Sequence, residues 1–334
     1  MMMRMMENLQ TGVVMMKKIF IVFATVFLCA AGYGQDQTKE LKILMIGNSF
    51  SVSVANDLHQ IVRAAPDCEM TLVSAYIGGC TLNGHWKNIE KAEQDPKHQQ
   101  YWVSVWKSDA PKRVSRTKGS VNQLLKQKWD IVTIQQGSHE SWDLKFYEPA
   151  VEKLIAYIRK NAPDAEIVLQ QTWAYRIDDA RLRRWKLTQT EMYEKLNHAY
   201  TTIAEKYQLR MIPVGNAVQI ARKALNIQST APAADQLPSK LKHPDLPSFN
   251  NDIVGRSHWT QHKKTQTMVM KTDPFHLNDR GKYLQACVWF SYLFGKNAEE
   301  IKYIPPYIEA EYAASLQKFA REAVDAASAK NVAK

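Results

Sequence analysis

A chain of 334 residues is long enough for one large domain or two small ones, and its apolar fraction of 45% supplies a sizeable hydrophobic core. The sequence has no CxxC or HExxH spacing, which argues against a structural zinc site or a zinc peptidase, and we expect neither a metal nor an organic cofactor. The formal net charge of +11 either serves solubility or attracts an acidic partner.

The first 34 residues have the order of a secretory signal peptide. Lys17 and Lys18 precede an apolar run at 19–31, and small residues follow before Gln35. The run is too short for a comfortable membrane span. We therefore expect a cleaved signal peptide at 1–34 and a secreted or periplasmic mature protein without a stable membrane span. In that compartment we expect no nucleic-acid partner, and acidic glycans are the better candidate.

Three cysteines would remain in the mature chain, namely Cys68, Cys80 and Cys287. An odd number in an oxidising compartment allows one disulfide at most and leaves a thiol over. The sequence therefore predicts no disulfide scaffold and leaves open whether any two of these cysteines pair. It leaves the oligomeric state open as well.

Apolar segments alternate with helical patterns along the chain. The predicted strands lie at about 41–47, 70–77, 129–134, 166–172 and 210–214. The predicted helices lie at about 52–64, 119–128, 148–160, 188–207, 216–225, 278–294 and 306–327. Five strand–helix repeats indicate an α/β fold with a parallel sheet covered on both faces. Right-handed crossovers then bring the carboxyl ends of the strands to one edge, where ligands bind in such sheets.

Two segments lack these patterns. Residues 82–118 carry several aromatic and basic side chains, and we interpret them as a long excursion over the sheet edge. Residues 228–271 are rich in Pro, Ser, Asn and Lys and are predicted to form a long loop with little regular structure. Neither segment resembles a flexible linker. Residues 35–334 are therefore predicted to form a single domain that is closed by the helix at 306–327.

Ser49 lies at the end of the first predicted strand, in the turn Gly47-Asn48-Ser49-Phe50-Ser51. A hydroxyl at this edge is exposed, and the helix N-terminus behind it favours developing negative charge. The alternative is that Ser49 only caps the helix, as serine often does.

A second candidate group, Asp273 and His276, lies just before the helix at 278–294. A serine hydroxyl is a weak nucleophile until a general base takes its proton. A carboxylate on the other ring nitrogen holds the imidazole in the tautomer that can do so. Asp273 and His276 could supply these two functions from one turn. The alternative is that they serve local capping and packing.

The sequence contains four blocks in the order found in the SGNH (GDSL-type) hydrolases. They are Ser49, a glycine after the second strand, a polar turn after the third strand and Asp-x-x-His near the C-terminus. This superfamily includes carbohydrate esterases, lipases and thioesterases, and the chain resembles it over about residues 41–295. The resemblance implies a three-layer α/β/α sandwich around a five-stranded parallel, flavodoxin-like sheet. It also implies a catalytic triad of Ser49, His276 and Asp273, with the backbone N–H groups of Ser49 and Gly79 in the oxyanion hole.

The sequence departs from the superfamily pattern in two blocks. Asn48 replaces the more usual Asp before the nucleophile. The third block is Gly-x-Asn-Asp in the superfamily, where the Asn side chain is an oxyanion donor, but here the glycine is followed by Ser138-His139-Glu140. His139 occupies the Asn position, and Gln136, just before the glycine, is an alternative amide donor. Both alternatives stay open. So does the simpler one, that these side chains only form hydrogen bonds with the backbone of the loop.

Four aromatic residues are candidates for substrate binding. Trp86 and Trp106 lie in the excursion, whereas Trp173 and Tyr175 follow the fourth strand at the functional edge. Each could stack on a sugar ring or belong to the core. The excursion also carries the basic residues Lys107, Lys112, Arg113, Arg116 and Lys118. If these residues rim the site, they favour a substrate with an acidic sugar backbone.

The favoured function is a secreted serine esterase that removes O-acetyl groups from an ester-substituted glycan, or acts on another small acyl ester. A lipase or thioesterase of the same superfamily is the alternative among enzymes. A non-catalytic glycan-binding protein is the alternative outside them, because the changed third block allows an oxyanion donor to have been lost. The carbohydrate part depends on secretion, on the aromatic excursion and on analogy with the superfamily.

Overall fold

Residues 38–332, the part of the chain that this computed structural model describes, form nine strands and ten α-helices. The predicted signal peptide at 1–34 lies outside the described residues, which belong to one compact unit that begins at Thr38. The strands are β1 (Lys39–Gly47), β2 (Cys68–Tyr76), β3 (Tyr101–Lys107), β4 (Ser115–Gly119), β5 (Ile131–Ile134), β6 (Glu166–Gln170), β7 (Arg210–Ile212), β8 (Val254–Gln261) and β9 (Met268–Leu277). The helices are α1 (Ser49–Val52), α2 (Ala55–Arg63), α3 (Leu82–Gln94), α4 (Val121–Leu124), α5 (Ala150–Asn161), α6 (Ala180–Trp185), α7 (Gln189–Tyr207), α8 (Val214–Ala224), α9 (Asp279–Phe294) and α10 (Ala310–Val332).

Five strands of the main sheet run parallel, in the spatial order β2-β1-β5-β6-β7. Counted along the chain this is the order 2-1-3-4-5 of flavodoxin-like sheets. The predicted parallel sheet is therefore present, but the prediction of five strands is wrong, since the sheet has seven. The register aligns Gly47 with Tyr76 and Ile46 with Ile134. The carboxyl ends of β1, β2 and β5 consequently meet at one edge.

The two additional strands come from residues 82–118, where the sequence predicts an excursion without regular structure. The segment instead forms α3 and then the β3–β4 hairpin, which extends the sheet antiparallel to β2. The Thr81 hydroxyl caps α3 by accepting a hydrogen bond from the Gly84 N–H (3.1 Å). β4 is almost entirely polar and exposed, as suits an edge strand. Its lack of an apolar pattern explains why the sequence does not reveal it.

Residues 228–271, predicted to be a loop, also contain regular structure. β8 and β9 pair as a separate two-stranded antiparallel sheet. Most side chains of β9 are polar or only partly buried, so no strict apolar alternation marks the strand. Asp273 and His276 therefore lie on a strand, close to its end at Leu277.

A buried ion pair fixes this hairpin to the main sheet. Arg176 is fully buried and donates to Asp178 through Nε (2.6 Å) and Nη2 (3.0 Å). Its Nη2 also donates to Ser257 Oγ on β8 (2.9 Å), and its backbone N–H donates to Pro274 O on β9 (2.8 Å). Arg176, in the connection after β6, thus contacts β8 through its side chain and β9 through its backbone N–H.

The sheet separates two hydrophobic clusters, as the period of two in a strand requires. Ile43 and Met45 of β1 belong to the cluster that α2, α8, α9 and α10 cover. Leu44 and Ile46 belong to the cluster that α3, α5 and α7 cover. Helices on both faces of a central sheet form the three-layer α/β/α arrangement that the sequence predicts.

Helix α9 begins directly behind the Asp273–His276 segment and is buried over most of its length. Asn278 caps it by accepting from the Gly281 N–H (3.3 Å), while its Nδ2 donates to Asp252 O (2.7 Å) and Gly255 O (3.0 Å). Gly295 ends it in the left-handed conformation, with φ +71°. Although α9 is apolar, no helix within residues 38–332 combines the length and apolar character needed to cross a bilayer.

The three cysteines of the described residues are all free and buried. Burial raises the pKa of Cys80 to about 12 and that of Cys68 to about 11. Burial likewise raises the pKa of Cys287. These thiols are therefore protonated at neutral pH and are poor nucleophiles.

Candidate active site

The turn after β1 holds Ser49 at the carboxyl edge of the sheet. Gly47 ends β1, and α1 begins at Ser49. A Cβ at Gly47 would lie 2.3 Å from Ser51 Oγ, so the turn is too tight for a side chain at that position. Phe50 is buried and stacks on Trp173, with ring centroids 4.1 Å apart. This packing anchors the turn, and Ser49 itself stays partly exposed.

One hydrogen-bonded chain joins Ser49, His276 and Asp273. His276 Nε2 lies 2.8 Å from Ser49 Oγ, and His276 Nδ1 lies 2.8 Å from Asp273 Oδ2. In the tautomer that donates Nδ1–H to the carboxylate, Nε2 accepts the hydroxyl proton. Both distances suit direct proton transfer. The serine and the histidine are 227 residues apart in the sequence, so the fold brings them together.

The Asp273 carboxyl group is held as an anion. Partial burial acts to raise its pKa, but hydrogen bonds from the His276 ring and from the backbone N–H groups of His276 and Phe275 outweigh burial and lower the pKa to about 2. The two backbone bonds, of 3.1 and 3.2 Å, go to Oδ1 and leave Oδ2 for the imidazole. A carboxylate in this position fixes the histidine tautomer and stabilises the imidazolium.

Two backbone N–H groups near the hydrogen-bonded series Ser49–His276–Asp273 have no protein acceptor among the described residues. Within residues 38–332, neither the N–H of Ser49 nor that of Gly79 donates to a protein atom. Gly79 occupies the third position of a turn closed by a bond from Cys80 N–H to Ile77 O (3.3 Å), and its φ of +62° favours glycine. A Cβ at Gly79 would meet nothing within 4 Å, so the turn borders open space. Such N–H groups are suitable donors for an oxyanion.

Asn48 ties the turn that carries Ser49 to the turn that carries Gly79. Its side chain is buried, and Nδ2 donates to Cys80 O (2.8 Å). Its Oδ1 accepts from Phe50 N–H (2.9 Å) and from Gln135 Nε2 (2.6 Å). An aspartate could not donate to the Cys80 carbonyl, which gives a physical reason for Asn at this position. Asn48 thereby sets the spacing between the Ser49 N–H and the turn that carries Gly79.

The two candidates for a third oxyanion donor differ in their surroundings. Gln136 is buried, its Nε2 donates to Phe146 O (2.8 Å), and its Oε1 accepts from Leu82 N–H (2.9 Å) and Gly137 N–H (2.8 Å). Because this buried amide uses its oxygen and one of its two N–H groups to join other segments, the structure argues against Gln136 as an oxyanion donor. The His139 side chain is 45% exposed at the same edge and stays a candidate.

Three of the four aromatic candidates are core residues. Trp173 and Tyr175 are fully buried, and Trp106 is 3% exposed. The prediction that they line an exposed substrate surface is therefore wrong. Trp86 is partly exposed but lies edge-on against Tyr157 of α5, with ring centroids 6.1 Å apart. Its packing is that of a contact between α3 and α5.

Most of the basic residues of the excursion lie away from the carboxyl edge. Lys107 pairs with Thr71, five residues and about 17 Å before the end of β2. The hairpin tip at 108–114, which carries two more of the basic residues, continues toward the amino edge of the sheet. Lys118 is level with the carboxyl edge, but its ammonium group lies 4.3 Å above an aromatic ring of β3. Lys107 and the hairpin tip therefore lie away from the site, and Lys118 is held against β3.

The site includes side chains that the sequence analysis does not single out. The Phe275 ring lies 4.1 Å from the His276 ring. The Arg181 guanidinium lies 4.3 Å from the centroid of Phe275 and 4.1 Å from that of Tyr175. Asp179 holds Arg181 through Nε (2.9 Å) and Nη2 (2.6 Å). The charged segment around Arg181 is typical of a solvated helix start, and only its contact with β9 shows its proximity to the site.

The volumes of the cavities do not identify this site, because the cavities described below do not border Ser49. Cavities of about 480 and 570 Å³ lie at the amino edge of the sheet, next to Arg210 and Arg63 respectively. A third, of about 360 Å³, borders Gly255 and Asn278. Within residues 38–332, no group of three His, Cys, Asp or Glu side chains is arranged to hold a metal ion. The hydrogen-bonded chain to Ser49 is what distinguishes the carboxyl edge.

Comparison with curated proteins found none that matches this chain. Among solved structures, a member of the lipolytic protein G-D-S-L family from Veillonella parvula is 11% identical, over 77% of this chain and 99% of that one, with a TM-score of 0.40. An acetylxylan esterase from Geobacillus stearothermophilus is 14% identical, over 58% of this chain and 87% of that one, with a TM-score of 0.34. Because both TM-scores are below 0.5, neither similarity supports an inference about this chain.

A stronger similarity exists to a family of unknown function. The structure of a DUF4886 family protein from Bacteroides uniformis is 26% identical, over 86% of this chain and 95% of that one, with a TM-score of 0.67. The model of that family, the domain of unknown function DUF4886, matches residues 42–231, which is more than half of the chain. The chain therefore belongs to the DUF4886 family.

Proposed function

We propose that this protein is a secreted serine ester hydrolase of the SGNH (GDSL-type) kind that removes O-acetyl groups from carbohydrate. The observation that carries the proposal is the chain of two 2.8 Å contacts from Ser49 through His276 to Asp273. The order of the four sequence blocks and the flavodoxin-like strand order support it. The signal-peptide pattern at 1–34 supports secretion, and partly exposed aromatic side chains near the site support a sugar substrate.

In the first half of the reaction, Ser49 attacks the acyl carbon. His276 Nε2 takes the hydroxyl proton while Oγ forms its bond to carbon, and the electron pair of the carbonyl moves to oxygen. The free N–H groups of Ser49 and Gly79 bind this oxyanion, and His139 is the remaining candidate for a third donor. The imidazolium then gives its proton to the leaving sugar oxygen as the ester bond breaks, which leaves an acyl group on Ser49.

In the second half, water replaces the sugar. His276 takes a proton from water, and the resulting hydroxide attacks the acyl carbon. The second tetrahedral intermediate collapses, Ser49 Oγ recovers the proton from His276, and the free carboxylic acid leaves. Asp273 stays ionised throughout and stabilises the imidazolium in both halves, as its pKa of about 2 allows.

Hydrolysis of p-nitrophenyl esters by purified protein tests the proposal. We expect measurable turnover of p-nitrophenyl acetate and a loss of roughly 10⁴-fold or more in Ser49→Ala. The matched control is Ser51→Ala, because Ser51 lies two residues away and its hydroxyl only donates to Asn48 O (3.0 Å). Equal losses in the two variants, or no turnover by the wild-type protein, would contradict the assignment of Ser49.

Acyl-chain preference separates the two enzymatic alternatives. A lipase or thioesterase needs an apolar surface for a long acyl chain, so kcat/KM would rise steeply from acetate to octanoate. An acetylesterase would show the opposite trend. Binding of acetylated oligosaccharide without turnover of any ester would favour the non-catalytic glycan-binding alternative.

A further inference from the structure

We infer that Trp142 and Trp185, together with the Arg181 guanidinium, form a subsite for a sugar ring of the ester-bearing substrate. This inference rests on the proposed esterase function and names the surface that would hold the carbohydrate part. Trp142 follows β5, and Arg181 and Trp185 belong to α6, which follows β6. All three residues therefore come from connections at the carboxyl edge, where Ser49 lies.

A continuous series of ring contacts leads from the candidate base to this pair. The centroid distances along it are 4.1 Å for His276–Phe275, 5.7 Å for Phe275–Tyr175, 5.9 Å for Tyr175–Trp185 and 5.2 Å for Trp185–Trp142. Tyr175, in the middle, is buried, and burial raises its pKa to about 12, so its hydroxyl stays protonated and donates to Ser138 Oγ (2.9 Å). The inner rings are thus fixed, and the series ends in the tryptophan pair.

The tryptophan pair differs from the core aromatics because it keeps solvent contact. Trp142 and Trp185 are both only partly buried, whereas Trp173 and Tyr175 are fully buried. The Trp142 ring nitrogen donates to His139 O (3.2 Å), which fixes the ring to the loop after β5. The Trp185 ring nitrogen has no protein acceptor within residues 38–332 and is not among their buried unpaired atoms. It is therefore a donor that a ligand can use.

Arg181 adds a second donor beside the rings. Asp179 occupies its Nε and Nη2, and the guanidinium lies over Tyr175 and Phe275. Its Nη1 has no protein acceptor among the described residues, and the side chain is 26% exposed. Because the ion pair and the ring stacking hold the guanidinium in one place, Nη1 is a preorganised donor.

Sugar rings match this combination of surfaces. The C–H groups of a pyranose face carry partial positive charge and pack on the negative face of an indole, while hydroxyl oxygens at the ring edge accept hydrogen bonds. An alkyl chain could cover the indoles, but it would leave the Trp185 and Arg181 donors desolvated and unpaired. The chemistry therefore favours a carbohydrate over an aliphatic occupant.

Two substrates test the inference. The experiment measures kcat and KM on p-nitrophenyl acetate, which has no sugar, and on fully acetylated cellobiose. In Trp185→Ala, we expect the ratio of kcat/KM for the sugar ester to that for p-nitrophenyl acetate to fall about 10-fold, mainly through KM. Trp185→Phe should recover part of that ratio, and Arg181→Lys should lower it as well.

The matched control is Trp102→Ala. Trp102 is 39% exposed and lies on β3, on the opposite side of β1 from β6. We expect it to leave the ratio unchanged. The subsite is overturned if the ratio is unchanged in Trp185→Ala, Trp185→Phe and Arg181→Lys, or if it falls only in Trp102→Ala. In either case the esterase function stands. If the wild-type protein hydrolyses neither ester, the esterase function itself fails.

Discussion

Replacing Asn48 by Asp tests how the turn that carries Ser49 is tied to the turn that carries Gly79. The two side chains have the same shape, so the substitution changes chemistry without leaving a cavity. The Oδ1 acceptor of Phe50 N–H and Gln135 Nε2 is kept, but the Nδ2 donor to Cys80 O is lost. A carboxylate oxygen would then face the carbonyl oxygen at the 2.8 Å that now separates donor and acceptor. We therefore expect the two turns to move apart.

The expected loss in the free energy of unfolding follows from the buried groups that the substitution affects. Leaving the buried Cys80 carbonyl without a donor costs about 1–3 kcal/mol. Placing a charge where Asn48 is 1% exposed adds to this cost, although the two retained donors offset part of it. We expect Asn48→Asp to lower the free energy of unfolding by about 2–3 kcal/mol at pH 7. If the displaced turn weakens one oxyanion donor, kcat falls by roughly 10²-fold.

The stability deficit of Asn48→Asp should depend on pH. Burial without a cation raises the pKa of the introduced carboxyl group above its ordinary value of about 3.9. The protonated carboxyl can donate to Cys80 O, so the stability deficit should shrink as the pH falls through that raised pKa and be full above it. Urea unfolding at several pH values measures the deficit, and p-nitrophenyl acetate hydrolysis measures kcat.

The matched control is Asn122→Asp in α4. Asn122 Nδ2 also donates to a backbone carbonyl, Ile89 O (3.2 Å), but neither residue belongs to the site. The control should lose stability without a change in kcat/KM beyond about twofold. The proposed link between the two turns is refuted if Asn48→Asp has wild-type stability and activity. It is also refuted if the stability deficit of Asn48→Asp grows as the pH falls.

Three further predictions concern the triad and its support. His276→Ala should cost about as much kcat as Ser49→Ala, and the double variant little more, since such groups act as a unit; additive losses would count against a shared mechanism. Asp273→Asn should fold normally and lower kcat by roughly 10³–10⁴-fold. Its kcat/KM should still show an acid limb, because the Asp273 carboxylate, with a pKa of about 2, is already ionised above pH 4 and does not produce that limb; a limb that disappears would contradict this. Arg176→Met leaves the Asp178 carboxylate buried without its partner and should cost about 3–5 kcal/mol in urea unfolding; an unchanged midpoint would show that the buried ion pair does not stabilise the fold.

The sequence predicts the parallel part of the fold because each of its strands is an apolar run bounded by turn residues. It misses the β3–β4 and β8–β9 hairpins, and for β4 and β9 the reason is that an exposed edge strand and a half-exposed hairpin need no apolar alternation. The position of the β8–β9 hairpin depends on contacts distant in sequence, such as that of Arg176 with Ser257. Periodicity carries no signal for such contacts.

At the site, the sequence predicts which residues could carry chemistry better than it predicts their surroundings. Ser49, Asp273 and His276 occur in blocks whose order is informative. Whether a polar or aromatic loop residue is free depends on its partners in three dimensions: Gln136 is bound by Leu82 N–H from another loop, and Trp173 is covered by Phe50. No local pattern separates these residues from exposed ones.

Covalent labelling tests the central claim most directly. A fluorophosphonate reacts with a serine whose proton is removed by a neighbouring base, and mass spectrometry of the digested protein locates the phosphonate. We expect stoichiometric labelling of Ser49 in the wild-type protein, and none in Ser49→Ala or His276→Ala. Labelling of another serine, or a folded wild-type protein that does not react, would contradict the assignment of Ser49 as the nucleophile.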